Sequence, residues 1–444
     1  MNQNDKKVAF ITGIAGQDGS YLIELPKFLM KIGNLLKSKK FLFVILFVLL
    51  SFELIYSFFY TTHGIGKGWL SLPDLISHQQ SPLNTSENSL IIRAHRILTE
   101  YYVNADGGQY ILLANNFPNY YLESQPVILD RPLYSFLITV VAFLPRLFFD
   151  SYAAIFVSAI FLNFVLAFAS VVLFYYLCKK IINSRVALLS ALLLVFSPYF
   201  HFWLVQPVPE ILTIFIIIAT LFLLQKYIEN PSRLKLIIFS LIIGVFMLGK
   251  MVFALSIFIL IAAFYFRRYK EGVMFLIVHL IPLAFWYLTV TRVLGIPYYV
   301  GMVVNYGVGI WLLNIFPLPW YKIFEIFLSV LPRFIYIVFH GFLFVPVIFA
   351  ISGLKKLTLK KGNFFCFCFT LSFLILIFIM NMYSPRYGFW IYPIIYPLAV
   401  LGIDRFADFL KRYKNWYSQV FYLAAFMFLV VVSNIDICSF FNYR

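Results

Sequence analysis

The stretch Phe41–Tyr60, FLFVILFVLLSFELIYSFFY, decides the fold. It carries one charged side chain, Glu53, and is as long as the roughly 20-residue helix that crosses the hydrocarbon of a bilayer. Such a run must be helical there, because a helix satisfies its own backbone groups where no water can. The rest of the chain repeats the pattern. Its 444 residues are 62% hydrophobic and only 12% charged, with a mean hydropathy of +0.90, which leaves too little polar side chain to clothe a water-soluble globule. Apolar blocks of about 17 to 25 residues recur to the C-terminus. We expect an all-α polytopic membrane protein with about eleven transmembrane helices over residues 41–444.

The net charge of +17 is spread in short clusters between apolar blocks, a pattern of membrane orientation and not of a nucleic-acid partner. KIGNLLKSKK, Lys31–Lys40, precedes the first span and sets the N-terminus in the cytoplasm. Residues 26–40 then read as a basic cytoplasmic linker, and 61–152 as a large outer loop rich in acids. Within that loop, PLYSFLITVVAFLPRLFF (Pro132–Phe149) is long enough to be mistaken for a span. Laid instead in the outer interface, it lets CKKIINSR, KYIENPSRLK, RRYKEG, KKLTLKKGN and DRFADFLKRYK all face the cytoplasm. No cleavable secretion signal is expected. The four cysteines read as packing residues, with no histidine partners at ligand spacing, and no metal or cofactor is expected.

The chain opens differently. KVAFITGIAGQDGSYLIEL, Lys7–Leu25, places Gly13, Gly16 and Gly19 as in a strand–turn–helix that cradles a pyrophosphate. Residues 1–25 resemble the start of GDP-mannose 4,6-dehydratase, an extended short-chain dehydrogenase/reductase. After Glu24 the resemblance stops: Pro26 interrupts the helix, and no Tyr-x-x-x-Lys pair follows. A dinucleotide site needs several parallel strands, so residues 1–25 are read as a truncated remnant without cofactor binding.

The chemistry is therefore sought on the outer face. Asp106, in a Gly-containing turn before the short apolar run Tyr110–Asn115, is placed to take a proton from an acceptor hydroxyl or else to cap that helix. Arg131 opens the interfacial segment, where it would meet a lipid phosphate or snorkel. Lys250 interrupts the apolar run Leu234–Phe266, marking an outer turn or a charge that needs a partner. Arg386, in NMYSPRYGFWIYP beside Tyr387, sits where the positive-inside bias disfavours a cation. Glu210 starts a span, where a helix dipole alone would accommodate it.

Together these pieces resemble the GT-C superfamily of integral-membrane glycosyltransferases, in particular the protein-mannosyltransferase-like enzymes of glycosyltransferase family 39. The resemblance covers roughly residues 95–400 and rests on Asp106-Gly-Gly-Gln-Tyr110, Arg131-Pro132-Leu133-Tyr134, Gly244 to Lys250 and Arg386-Tyr387. It implies an inverting enzyme of the inner membrane's outer face, moving a sugar from a polyprenyl-phosphate donor to a glycan, lipid or protein acceptor. Asp106 would be the base, and Arg131, Lys250, Arg386, Tyr387, Glu210 and Tyr110 would bind substrate. A single proline replaces the family's pair, and the distance from the first span to Asp106 leaves Asp74 and Glu100 open as the base. A flippase or other transporter, and an O-antigen polymerase, are the rival readings.

Overall fold

In the computed structural model, the described residues are 39–63, 70–71, 102–103, 105–116, 132–249, 253–293, 318–322, 324–325, 328, 331–332, 344–356, 389–413 and 415–442. The chain divides into two compact units, Met1–Phe52 and Glu53–Arg444. The dehydratase-like segment lies outside the described residues.

Helix α1 spans Lys39–His63, enclosing the stretch that the sequence marks as the first span. A two-residue antiparallel pair, β1 (Leu70–Ser71) with β2 (Tyr102–Val103), precedes α2 (Ala105–Asn116) and α3 (Pro132–Val141). Then follow α4 (Ser151–Ile181), α5 (Ser184–Val195), α6 (Pro198–Leu204), α7 (Glu210–Glu229), α8 (Arg233–Met247), α9 (Phe253–Tyr265) and α10 (Tyr269–Leu288). The described part closes with α11 (Phe344–Leu354), α12 (Tyr392–Lys411) and α13 (Asn415–Asn442). Among the described residues, Ser151–Ile181, Glu210–Glu229, Tyr269–Arg292 and Phe389–Lys411 are long and apolar enough to cross a membrane, and several apolar helices are shorter.

The interfacial segment is a short helix followed by a turn. At 1.5 Å per residue the ten residues of α3 rise about 15 Å, half of the roughly 30 Å hydrocarbon core. Pro132, Tyr134, Ser135 and Ile138 are buried on one side of α3. Beyond it, Phe143, Leu147 and Phe148 stay about 70% exposed at 73%, 68% and 70%, apolar surface suited to lie against lipid.

Polar caps mark where helices start. Asp150 accepts from the Ala153 amide at 2.9 Å ahead of α4, Asn183 from Val186 at 2.9 Å ahead of α5, and Ser232 from Lys235 at 3.2 Å ahead of α8; each meets an amide that a helix start leaves without a partner. The basic turns gather as well. Lys180 pairs with Glu229, and Tyr227 donates to Glu271, which Arg268 also engages at 3.1 Å. The turns after α4, α7 and α9 thus share one end of the bundle. The last two clusters pair with each other, Lys356 lying 2.6 Å from Asp408 and 3.8 Å from Asp404.

Small residues set the closest helix contacts. A Cβ on Gly244 of α8 would fall 2.3 Å from the His279 carbonyl oxygen of α10. One on Gly353 would fall 1.9 Å from the Leu398 oxygen, and one on Gly402 would fall 2.0 Å from the Phe349 oxygen, so α11 and α12 touch backbone to backbone. Between lipid-immersed helices such contact supplies the packing that a hydrophobic driving force does not.

Candidate functional site

The segments that carry the candidate residues meet around a buried tyrosine and asparagine. Tyr134 of α3 is fully buried and donates to Asn163 Oδ1 of α4 at 3.0 Å. Asn163, equally buried, donates through Nδ2 to the carbonyls of Gln206 at 2.6 Å and Trp203 at 3.3 Å. One side chain therefore ties α3 to the chain between α6 and α7.

Helix α2 packs against the same pair. The Tyr110 ring meets Tyr134 edge-on at 5.4 Å. Thr139 donates to the Ala114 carbonyl at 2.9 Å, and Ser151 hydrogen-bonds Asn115. The expected turn at Asp106 proves helical: α2 opens at Ala105, so Asp106 is its second residue, and Gly107 and Gly108 are buried within it. Glycine costs a helix interior about 1 kcal/mol relative to alanine, but the absence of side chains lets the first turn of α2 pack closely. The Asp106 side chain lies outside the described residues.

Glu210 occupies the first turn of α7 and is 1% exposed; Tyr110 is 3% exposed. Burial pushes the Tyr134 hydroxyl well above the ordinary tyrosine value. The Asn163 hydrogen bond opposes that rise, and the charges of Glu210 and Tyr110 add to it. Tyr134 consequently remains a neutral donor throughout the physiological range.

Arg131, Lys250, Arg386 and Tyr387 lie outside the described residues, but neighbouring parts of the chain are placed. The Leu133 amide, at the start of α3, donates to the Leu248 carbonyl at the end of α8 at 3.1 Å. A Cβ on Gly249 would lie 3.0 Å from Leu212 and Ile216 of α7, so the end of α8 rests on the first turns of that helix. Phe389 packs on Tyr199 and Phe200 of α6 at 6.5 and 6.1 Å, and Tyr392 on Tyr199 at 6.3 Å. The Asn163-bound carbonyls follow directly along α6.

Two features escaped the sequence reading. Asn163 and Gln206 were passed over, although an asparagine within the apolar run SYAAIFVSAIFLNFVLAFAS is itself a signal. The other is the contact between His201 Nδ1 and Glu53 Oε2 at 3.0 Å, with side-chain exposures of 15% and 10%. Glu53, the lone acid of its span, thereby has a partner. Among the described residues no three His, Cys, Asp or Glu side chains gather as metal ligands.

Residues 130–310 match the family described as dolichyl-phosphate-mannose-protein mannosyltransferase. That match takes in less than half of the chain. No curated protein matches it. Among solved structures, the chain is similar to ArnT from Cupriavidus metallidurans in the apo state, at 12% identity and a TM-score of 0.44 over 75% of this chain and 72% of that one. It is also similar to the Archaeoglobus fulgidus oligosaccharyltransferase AglB in complex with an inhibitory peptide and a dolichol-phosphate, at 13% identity and a TM-score of 0.44 over 75% and 51%. The A. fulgidus oligosaccharyltransferase tethered to an acceptor peptide gives 11% identity and 0.49 over 90% and 55%. The chain spans about half the length of those archaeal proteins.

Asn163 offers a direct test of this scaffold. Asn163→Leu leaves the buried Tyr134 hydroxyl without its acceptor and takes one donor from each of the Gln206 and Trp203 carbonyls, which keep backbone N–H partners. We expect a loss of about 1 to 3 kcal/mol, read as a lower thermal-unfolding midpoint in detergent. An unchanged midpoint would show that these bonds carry no net stability.

Proposed function

We propose that this chain is a GT-C enzyme that transfers a sugar from a polyprenyl-phosphate donor to a hydroxyl of a glycan, lipid or protein acceptor, with inversion, at the outer face of the cytoplasmic membrane. The carrying observation is that α2, α3, the end of α8, the start of α7 and the turn before α12 come together through Tyr134, Asn163 and the aromatic rings of α6. Those segments hold Asp106, Tyr110 and Glu210, and Arg131, Lys250, Arg386 and Tyr387 lie within three residues of them in sequence. The matched family's description, which names a lipid-phosphate-linked mannose, supports the donor class.

In this reading Asp106 accepts the acceptor's hydroxyl proton as that oxygen attacks C1. The C1–oxygen bond to the lipid phosphate breaks, and its electron pair leaves on the phosphate oxygen. Arg131, Lys250 and Arg386 offset that growing charge, which fixed cations do more strongly in a poorly hydrated site than in water. Tyr387 borders the donor, while Tyr110 and Glu210 form the buried floor that fixes α2 and α3. The basic end of the bundle faces the cytoplasm with the N-terminus, and residues 1–25 are a fusion remnant outside the reaction.

The test supplies membranes holding the protein with sugar-labelled polyprenyl phosphates, mannosyl among them. Label should leave the lipid donor and appear on an acceptor only when the protein is present. Donor that crosses the bilayer with its label still attached would favour a carrier, and growth of a repeat polymer would favour a polymerase.

A further inference from the structure

A cavity of about 610 Å³ runs from the turns after α4, α7 and α9 to the start of α12 at Pro393 and Ile394, within the size range of small-molecule sites. It begins on α4 at Leu177, 14 residues beyond Asn163, or about 21 Å at helical rise. Its walls are apolar, with Leu177, Leu224, Phe239, Phe258, Ala262 and Pro397 among them. The charged side chains that line it are Arg268, which caps the start of α10, and Glu271, in that helix's first turn. The cavity is thus an apolar slot with its polar mouth among the basic turns.

The charge at the mouth is one-sided. Glu271 is engaged by Arg268 at 3.1 Å and by the Tyr227 hydroxyl. Arg267 and Lys270 are exposed on the same turn. Arg267 adopts φ 56°, a left-handed state that glycine takes up without strain. The chain holds an arginine there, next in sequence to Phe266 and Arg268 of the cavity wall.

We propose that this cavity holds an acyl chain of an anionic glycerophospholipid, its phosphate seated at Arg267 and Lys270. Basic pockets between membrane helices favour such headgroups. The polarity of the slot separates this ligand from the sugar donor, whose phosphate would belong at the other end of α4.

The experiment uses the full chain in phosphatidylcholine nanodiscs with a minor fraction of phosphatidylglycerol carrying a photoreactive group at its acyl terminus. Labelling should map to residues 258–275 and exceed that from a phosphatidylcholine probe. Replacing Arg267 and Lys270 together by glutamine should reduce it about fivefold or more, since each cation near an anionic surface is worth about 1 kcal/mol. Ala262→Trp should abolish labelling inside the slot while the headgroup still associates. Equal labelling by both lipids, or labelling that survives both variants, would overturn the proposal. Displacement by a polyprenyl phosphate would also overturn it and assign the slot to the donor. Because the readout is labelling and not sugar transfer, failure here leaves the proposed reaction standing.

Discussion

Asp106→Asn is expected to lower sugar transfer by about 10² to 10⁴, the usual contribution of a positioned general base. Asparagine keeps the shape of aspartate but cannot hold a proton taken from an acceptor hydroxyl. It also remains a suitable residue for the beginning of a helix, so α2 should stay docked through Tyr110 on Tyr134. Initial rates with saturating labelled donor measure the effect, alongside the unfolding midpoint in detergent as a control for folding. A variant working near the wild-type rate would remove Asp106 from the reaction and pass the role to Glu100 or Asp74.

Gly402→Val should have the largest effect on the fold. Even the first carbon of the new side chain would lie 2.0 Å from the Phe349 oxygen and 2.7 Å from its carbonyl carbon. Backbone cannot yield as a side-chain tip can, so α11 and α12 would have to separate. Overpacking a well-filled contact costs about 1 to 3 kcal/mol and at times more. The start of α12, where Phe389 and Tyr392 lie against α6, would be carried along with the displaced helix. Reduced yield of monodisperse protein and a lowered midpoint are expected, with Gly402→Ala already impaired. Wild-type behaviour of the alanine variant would contradict the close contact.

What was legible in the sequence follows from how local each signal is. The stretch Phe41–Tyr60 is helical within Lys39–His63, and Glu210 starts its helix as expected, because apolar length and a first-turn carboxylate act within a single helix. Pro132–Phe149 forms no single crossing helix, in keeping with Pro145 and Arg146. The helical state of Asp106 was missed because two glycines in succession argue for a turn until burial against neighbouring helices compensates them. Asn163 with Gln206, His201 with Glu53, and Gly353 with Gly402 are pairings between distant parts of the chain. No window of sequence contains both partners, and each residue alone has several ordinary explanations. Gly244 shows the same limit: it was noted for its place before Lys250, and its measurable constraint is the His279 carbonyl of α10.

The bond from Leu133 to Leu248 joins two severed ends. A helix normally begins with amides, and finishes with carbonyls, that find nothing within its own coil; here one of each cancels the other. The front of α3 therefore has one fewer N–H to offer an arriving anion. In the proposed reaction a donor phosphate at that spot would be met by side chains, the role proposed for the arginine immediately ahead of α3.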